Sequence, residues 1–197
     1  MLSLGLYLGF LAWLNHHTHH AKPWIISGLA IYACDLVARM MRMRYKTAYL
    51  EPVGDQMTLV HIPHAAGRWR AGQHVRLRLV LGTRILQAHP LTIINSAPTG
   101  DKTRSQGMWL AARVAGDWTG ELNGLGKTHL RVIFDGPYGS AQIQRKERTL
   151  CLAGGSGATF TLGVLDESIT AVENGDQRVR VIEWVWFIRS YGTHSAM

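Results

Sequence analysis

Two apolar stretches in the first 43 residues restrict the fold of this chain more than any other feature. Residues 1–14 are nearly all apolar and carry no charge, and a second apolar stretch occupies residues 23–43. A helix needs about 20 apolar residues to cross a bilayer, so the first stretch is short for a span and the second is long enough. Basic side chains close the second stretch, at Arg39, Arg42, Arg44 and Lys46. Positive charge in this position marks the cytoplasmic end of a membrane helix.

We therefore predict that residues 1–46 form a helical membrane hairpin, with residues 15–22 as its extracytoplasmic turn. The alternative is a buried core helix with a basic end. No basic segment precedes the first apolar stretch and no small-residue cleavage site follows it, which argues against a secretory signal peptide. Four histidines fall in the predicted turn, namely His16, His17, His19 and His20. Imidazoles beside a membrane raise haem or metal ligation as a hypothesis, but a solvated turn is the simpler interpretation.

The charge of the chain favours an anionic partner. Lys and Arg number 21 against 13 Asp and Glu, which gives a formal net charge of +8. The basic residues form no arginine-rich tract and no nucleic-acid-binding motif is present, so nucleic acid is not predicted as a partner. The anionic headgroups of a lipid bilayer and the phosphates of a dinucleotide account for the charge better. The two cysteines, Cys34 and Cys151, do not make a disulfide framework.

Short alternating segments follow the apolar region and predict β-strands. Pro52 and Gly54 mark a linker over residues 51–56. Apolar residues alternate over residues 58–62 and 75–79, and further strand-like runs lie at residues 108–114 and 130–134. Short strands separated by glycine-rich turns favour an antiparallel β-barrel, which we predict for residues 50–144.

The periodicity changes after residue 139 and predicts a different kind of domain. A short apolar strand at residues 149–153 leads through a glycine-rich turn into a helix at about 158–172. Asn174-Gly175 closes that helix, and residues 179–188 are predicted to form a buried strand. This order is one β-α-β unit of a parallel sheet. The predicted fold is therefore mixed: a transmembrane helical hairpin, an antiparallel β-barrel and a partial α/β domain over residues 147–197.

A His-Pro-Leu-Thr step, His89 to Thr92, interrupts the alternating pattern. Pro90 fixes its own φ and removes a hydrogen-bond donor, so we expect the chain to leave any regular ladder there. His89 and Thr92 then offer side-chain donors and a flat face to a bound molecule. The alternative is an ordinary strand end with a proline bulge.

Two glycine-containing turns are candidate phosphate sites. Gly116 lets the backbone approach a phosphate, Thr119 can donate from hydroxyl and amide at a helix start, and Arg113 precedes them. The alternative is an ordinary turn with a helix N-cap at Thr119. The second turn, Gly154-Gly155-Ser156-Gly157, lies between a strand and a helix, where free N–H groups and the helix dipole attract phosphate. A lone glycine-rich turn is weak evidence.

Taken in order, five motifs resemble the flavin and nucleotide domains of the ferric-chelate reductase and NADPH oxidase superfamily. They are Trp69-Arg70-Ala71-Gly72-Gln73-His74-Val75, His89-Pro90-Leu91-Thr92, Gly116-Asp117-Trp118-Thr119, Gly136-Pro137-Tyr138-Gly139 and Gly154-Gly155-Ser156-Gly157. The resemblance runs from about residue 24 to the end, and it is closest to fungal ferric reductase-like transmembrane proteins. Relative to that family the chain looks truncated at both ends.

The resemblance implies FAD and NADPH as cofactors. It implies that His89, Pro90, Leu91 and Thr92 lie against the flavin, although the family usually has Phe where Leu91 stands. It assigns Arg113, Gly116 and Thr119 to the FAD pyrophosphate. The NADPH residues that it implies are Gly136, Pro137, Tyr138 and Gly139 beside the nicotinamide, Gly154, Gly155, Ser156 and Gly157 on the pyrophosphate, and Arg189 on the 2′-phosphate.

The resemblance also implies a reaction: electrons pass from NADPH through FAD toward haem and ferric chelates. Family members bind two haems through paired histidines on transmembrane helices. Here the partners of His16 or His17 would fall near residues 2–4, where no histidine stands. The resemblance implies haem for the family, but its ligand helices are missing from this sequence. A haem-bearing partner subunit is one option, and His16 and His17 are weak candidate ligands. We expect a membrane location, the plasma membrane in the first place, with the flavin domain cytoplasmic. The alternatives are a superoxide-generating NADPH oxidase-like protein and a non-catalytic, truncated membrane module.

Overall fold

A computed structural model describes residues 2–18, 22–63, 65, 69–70, 72–97, 107–139 and 147–188 of the 197-residue chain. The chain divides into two compact units, residues 1–43 and residues 44–197. The first unit holds two helices. The second unit holds six antiparallel strands, a short helix and a small parallel α/β element.

The N-terminal unit consists of helix α1 (Leu2–His17) and helix α2 (Lys22–Arg42). Among the described residues, α2 alone is long and apolar enough to cross a membrane, judged by length and composition. Helix α1 has 16 residues, fewer than the roughly 20 that a span requires. The predicted turn is wrong in its bounds, because residues 15–17 continue α1. Two local contacts support this extra helical length: Trp13 stacks on His17 at 4.9 Å, and the Thr18 hydroxyl donates to the Leu14 carbonyl at 3.0 Å.

One residue separates the end of α2 from the start of strand β1 (Arg44–Val53). Arg44 and Lys46, which the sequence placed at the end of the membrane segment, are therefore strand residues. Strand β1 pairs with β2 (Met57–Pro63) on one side and with β6 (Thr128–Tyr138) on the other. The segment predicted as a linker is thus the end of β1 followed by a tight turn, in which Gly54 has a φ of +61°.

The six strands form the predicted antiparallel barrel. Their order is β4-β3-β6-β1-β2-β5, where β3 is His74–Leu79, β4 is His89–Thr92 and β5 is Gly107–Arg113. An isolated antiparallel bridge between Ile93 and Leu110 links the two edge strands just after β4, so the sheet nearly closes while residues 89–92 remain an edge strand paired with β3. Closure matters because an open sheet edge leaves backbone donors and acceptors unpaired.

The barrel interior is filled by alternate residues of each strand. In β3, Val75, Leu77 and Leu79 are fully buried, whereas the residues between them face outward. Helix α3 (Asp117–Gly124) adds Trp118 and Leu122 to the same core. The remaining fully buried apolar residues include Ala48, Leu50, Val60, Ile62, Ile93, Leu110, Val132 and Phe134.

The C-terminal element is the predicted β-α-β unit. Strand β7 (Arg148–Gly154) runs parallel to β8 (Val181–Phe187), and helix α4 (Ala158–Glu173) packs on one face of the pair. Asn174 caps α4 and Gly175 follows with a φ of +86°, as predicted. The prediction of a buried strand at residues 179–188 is wrong, because β8 is mostly exposed. It has one described neighbour strand, and α4 covers only one face.

Candidate cofactor site

The His-Pro-Leu-Thr motif forms the edge strand β4. Its four residues pair with β3, and the pairs are Thr92–His74, Leu91–Val75, Pro90–Arg76 and His89–Leu77. The expectation that Pro90 would take the chain out of a ladder is therefore wrong. An edge strand with one neighbour bonds through alternate amides only, so a residue without an N–H is tolerated there.

The two faces of β4 have different surroundings. Leu91 is 8% exposed and belongs to the barrel core. His89 is half-buried and its ring stacks on Trp118 of α3, with 4.3 Å between ring centroids. Pro90 and Thr92 lie on the opposite face, where β3 presents His74 and Arg76. The motif therefore offers an outward face formed by Pro90 and Thr92.

The environment of His89 disfavours its protonated form. Burial lowers the pKa of His89 below the ordinary value of 6.5, and the nearby positive charge of Arg84 lowers it further. Arg84 lies in the short 3-10 helix Gly82–Leu86 and its guanidinium bonds the Glu121 carboxylate of α3 at 2.6 Å. This ion pair holds the segment before β4 against α3.

We expect acid to weaken the packing of His89 on Trp118. The unfolded chain binds a proton at His89 more tightly than the folded chain, so stability falls as the pH drops below about 6.5. In thermal unfolding of the detergent-solubilised protein between pH 7.5 and 5.5, His89→Phe should lose less stability than wild type. Phenylalanine retains a stacking ring but does not titrate. Equal losses in the two proteins would contradict this assignment.

The first candidate phosphate turn lies at the start of α3. Gly116 is the N-cap of this helix, and Thr119 is not a cap but lies within the first turn. The Thr119 hydroxyl accepts from the amides of Ala115 and Gly116 at 2.8 and 3.1 Å, and lies 3.0 Å from the Gly116 carbonyl, to which it donates. Asp117 adds a negatively charged carboxylate to this turn, which would repel a phosphate. A phosphate there would therefore need the positive charge of Arg113, which is exposed at the end of β5.

The Gly-Pro-Tyr-Gly motif ends β6, directly beside β3. His74 pairs with Tyr138 on one side and with Thr92 on the other, so these three residues form one row across the sheet. Gly136 is confined there, since a Cβ at this position would lie 3.2 Å from the His74 carbonyl oxygen. The Gln73 side chain donates to the Gly139 carbonyl at 2.8 Å. The strand register thus brings the motifs His89–Thr92 and Gly136–Gly139 together.

Asp135 accepts hydrogen bonds from three side chains on the outer face of the barrel, next to this row. Its carboxylate is fully buried and accepts from Arg76 at 2.7 and 3.0 Å, from Arg78 at 2.9 Å and from the Tyr138 hydroxyl at 2.6 Å. Burial alone would raise the pKa of Asp135, but the hydrogen bonds from Tyr138, Arg76 and Arg78 outweigh it and lower the pKa. The Arg76 guanidinium also lies over the Tyr138 ring, 5.3 Å from its centroid.

The second glycine-rich turn has the expected place between β7 and α4. Residues Gly155–Gly157 form one 3-10 turn, and α4 starts at the next residue. A Cβ at Gly154, Gly155 or Gly157 would meet no atom within 4 Å, so the backbone of the turn is accessible. The Trp186 indole donates to the Gly155 carbonyl at 3.0 Å and anchors the turn to β8. Arg189, the predicted 2′-phosphate residue, lies outside the described residues.

The candidate haem ligands lie at the end of α1, where His16 and His17 are both exposed. His19 and His20 lie outside the described residues. Within the described part of the chain, no group of three or more His, Cys, Asp or Glu side chains could hold a metal ion.

Several side chains near the site were not singled out from the sequence. Trp118 is 4% exposed, and its indole N–H has no hydrogen-bond partner among the described residues. The pairing of Asp135 with Arg76 depends on the register between β3 and β6, which local sequence does not give. A charged residue just before Gly136-Pro137-Tyr138-Gly139 was the available signal for Asp135. Ser96 and Asp166, 70 positions apart, form a bond that no local pattern predicts.

Comparisons with known proteins identify the family of the chain. Residues 40–142 match a family described as an FAD-binding domain. Ferric/cupric reductase transmembrane component 2 of Saccharomyces cerevisiae is 25% identical over 193 residues, covering 92% of this chain and 26% of the relative. Ferric reductase transmembrane component 3 of the same yeast is 27% identical, with the same coverage of both chains. The chain thus spans about a quarter of the length of these relatives.

A solved structure shares the fold. A ferredoxin NADP+ reductase from Neisseria gonorrhoeae, crystallised with bound FAD and NADP, superposes with a TM-score of 0.56 over 74% of this chain and 57% of that one. Its sequence identity is 14%, so this likeness concerns the fold. The family match covers more than half of the chain, and the two yeast proteins align with most of it. The chain therefore belongs to the FAD-binding domain family and is ferric reductase-like.

Proposed function

We propose that this chain is the flavin-binding part of a membrane-bound reductase that passes electrons from NADPH through FAD toward haem and ferric chelates. The observation that carries the proposal is the row of Thr92, His74 and Tyr138. Thr92 and Tyr138 are 46 positions apart in the sequence but are separated by one strand in the barrel. A hydride donor and a flavin must meet face to face, and this row supplies adjacent places for both.

The residues present fit FAD. Trp118 contributes a buried indole N–H without a described partner, which an acceptor atom of a ligand would satisfy. The first amides of α3 lack partners inside the helix and favour an anion such as a pyrophosphate. Trp118 of α3 stacks on the His89 ring, and Pro90 and Thr92 lie on the other face of β4. FAD would be held by Thr92, His89, Trp118, Gly116 and Arg113.

The residues present also fit a dinucleotide phosphate at the start of α4. This helix has 16 residues, and its N-terminus follows an accessible glycine turn. Aligned peptide dipoles place about half a positive charge at such an end. The NADPH pyrophosphate would lie on the turn Gly154–Gly157, the nicotinamide would lie beside Gly136–Gly139, and Arg189 would contact the 2′-phosphate.

When bound, FAD would take a hydride from NADPH, which becomes NADP+, and would release the two electrons singly to the next carrier. The chain itself binds and orients. Asp135 holds Arg76 and Tyr138 in fixed positions beside the row, and β4 keeps Thr92 within the barrel wall. Helix α2 contains no histidine, so haem would be held by histidines outside this helix. The lipid bilayer would hold α2, with the barrel on the cytoplasmic side of the plasma membrane.

The test is an anaerobic absorption spectrum of the detergent-purified chain reconstituted with FAD, taken before and after NADPH is added. We expect a flavin spectrum that bleaches. Thr92→Ala and His89→Ala should each bind FAD several-fold more weakly, because one hydrogen bond or ring contact contributes about 1 kcal/mol. Thr47→Ala, at an exposed position of β1, is the matched control and should bind FAD normally.

Four outcomes would contradict parts of the proposal. Unchanged FAD binding in both variants would overturn the site assignment. Flavin that stays oxidised with NADPH would overturn the nucleotide site. Absence of flavin after reconstitution would favour a non-catalytic membrane module. Superoxide formation in air that exceeds the reduction of a ferric chelate would favour an NADPH oxidase-like activity.

A further inference from the structure

Ser96 and Asp166 join the barrel to helix α4. Ser96 follows β4 by four positions, and Asp166 lies in the middle of α4. The Ser96 amide and the Ser96 hydroxyl both donate to Asp166 Oδ2, each at 2.6 Å. The Ser96 hydroxyl also lies 3.0 Å from Thr170 Oγ1, one helical turn further along α4. A carboxylate that accepts two short bonds from one residue fixes both the distance and the orientation of its partner.

The barrel side of this contact is held rigidly. Asn95 precedes Ser96, and its side chain donates to the Gly107 carbonyl at 3.0 Å and accepts from the Trp109 amide at 2.9 Å. The Trp69 indole donates to the Asn95 carbonyl at 2.9 Å. Ser96 is therefore fixed to the barrel wall directly after the flavin motif.

A second contact lies at the start of α4. The Phe160 ring packs on Gly72, where a Cβ would come within 2.2 Å of the ring. Phe160 is in the first turn of α4, three positions after Gly157. The helix thus meets the barrel both near its N-terminus and at its middle, and two separated contacts restrict its tilt as well as its position.

We propose that Ser96 and Asp166 are positioning residues that set the orientation of the nucleotide turn relative to the flavin motif. Asp166 lies nine residues after Gly157, about 14 Å along the helix axis. Because an α-helix is rigid over this length, a rotation of α4 about Asp166 would displace the turn Gly154–Gly157. Ser96, which binds the Asp166 carboxylate, lies four positions after Thr92, and the backbone between them is held to the barrel. The proposal rests on the proposed function, because the orientation matters for transfer between nicotinamide and flavin.

The expected effect is on transfer rather than on cofactor binding. Neither Ser96 nor Asp166 is among the residues proposed to hold FAD or NADPH. A displacement of about 1 Å between reacting groups can slow a reaction about a hundredfold. Ser96→Ala and Asp166→Asn should therefore slow reduction of bound FAD by NADPH tenfold or more in stopped-flow absorption. FAD content and reduction by dithionite should stay at the wild-type level.

Two matched variants separate this role from general damage. Ser96→Thr retains the amide and the hydroxyl and should restore the rate to within about threefold of wild type, a difference worth about 0.7 kcal/mol. Asp55→Asn removes a carboxylate from the exposed β1–β2 turn and should behave as wild type. A Ser96→Thr variant as slow as Ser96→Ala would overturn the proposal.

A second readout does not depend on activity. Spin labels on Asp55→Cys and Val172→Cys, in a Cys34→Ser background, report the distance between the barrel and α4 in the full chain. Val172 is 45% exposed, and Cys151 is buried away from the reagent. Ser96→Ala and Asp166→Asn should widen the distance distribution, and Ser96→Thr should not. An unchanged distribution, or a widened one with an unchanged transfer rate, overturns the proposal.

The readouts also separate failure of this proposal from failure of the proposed function. If wild type binds no flavin or is not reduced by NADPH, the proposed function fails, and the spin-label distances alone decide whether Ser96 and Asp166 orient α4. If wild type is reduced normally and the variants match it in rate, the proposed function stands and the positioning role fails.

Discussion

Replacing Asp135 with alanine is expected to lower the free energy of unfolding by about 3 kcal/mol, the largest loss among the substitutions considered. The carboxylate is fully buried and accepts hydrogen bonds from Arg76, Arg78 and Tyr138. Its removal leaves two guanidinium groups without their counter-charge. The Arg76 and Arg78 side chains are 29% and 17% exposed, so water screens part of the loss and the lower end of the usual range applies.

Urea unfolding followed by tryptophan fluorescence, in detergent, measures this loss. Asp135→Asn retains the volume and some of the hydrogen bonds, so its loss should be smaller than that of Asp135→Ala. Lys127→Gln breaks an exposed ion pair with Glu51 and should leave stability unchanged. Because the pKa of Asp135 is lowered from 3.8, its contribution is present above about pH 4 and disappears as the pH falls further. An Asp135→Ala loss no larger than that of Lys127→Gln would show that the cluster does not stabilise the barrel.

The cluster illustrates what the sequence could predict and what it could not. The alternation of apolar residues in β3 could be recognised in the sequence because Val75, Leu77 and Leu79 face one core. The antiparallel barrel was predicted from strands of this kind. Which outward residue of β3 meets which residue of β6 depends on register, including the irregularity between His74 and Arg76. Register is set by long-range packing, so the partners of Asp135 were not available from local pattern.

Pro90 and strand β8 show a second limit of prediction from the sequence. Pro90 was expected to break a ladder, and the structure accommodates it because β4 is an edge strand. Likewise, β8 was expected to be buried because its sequence is apolar. Burial depends on how many neighbours a strand has, and β8 has one strand and one helix beside it in the described chain. The sequence predicted a strand near residues 179–188 correctly and missed the strand at residues 89–92. In neither case does local sequence determine which neighbours the strand has.

The contiguous motifs could be recognised in the sequence. In the structure, His89 to Thr92 form strand β4, Gly136 to Gly139 lie at the end of β6, and Gly154 to Gly157 lie between β7 and α4. The side chains that hold these segments in place are dispersed, as with Trp118 under His89 and Asp166 against Ser96. Supporting residues of this kind need only be near in space, so their spacing in sequence carries no signal.

Gly72→Ala is expected to lower the free energy of unfolding by about 2 kcal/mol, the second largest loss, for two separable reasons. Gly72 has a φ of +77°, and a residue with a Cβ costs about 1–2 kcal/mol in that region. The new methyl group would also come within 2.2 Å of the Phe160 ring, which must move. Phe160 is 44% exposed, so its ring can swing toward solvent at the cost of its packing on the barrel.

A double-mutant cycle with Phe160→Ala isolates the contact. In that background the ring is absent, so Gly72→Ala should cost only the backbone part, about 1 kcal/mol. Gly175→Ala is the matched control: its φ is +86°, but no atom lies within 4 Å of the added Cβ, so its loss should be the same with and without Phe160. A Gly72→Ala loss that is identical in both backgrounds would mean that the ring does not pack on the barrel. If Phe160→Ala reduces the loss caused by Gly72→Ala but not the loss caused by Gly175→Ala, the Phe160 ring packs on the barrel. The first turn of α4, and with it the turn Gly154–Gly157, is then held against the barrel.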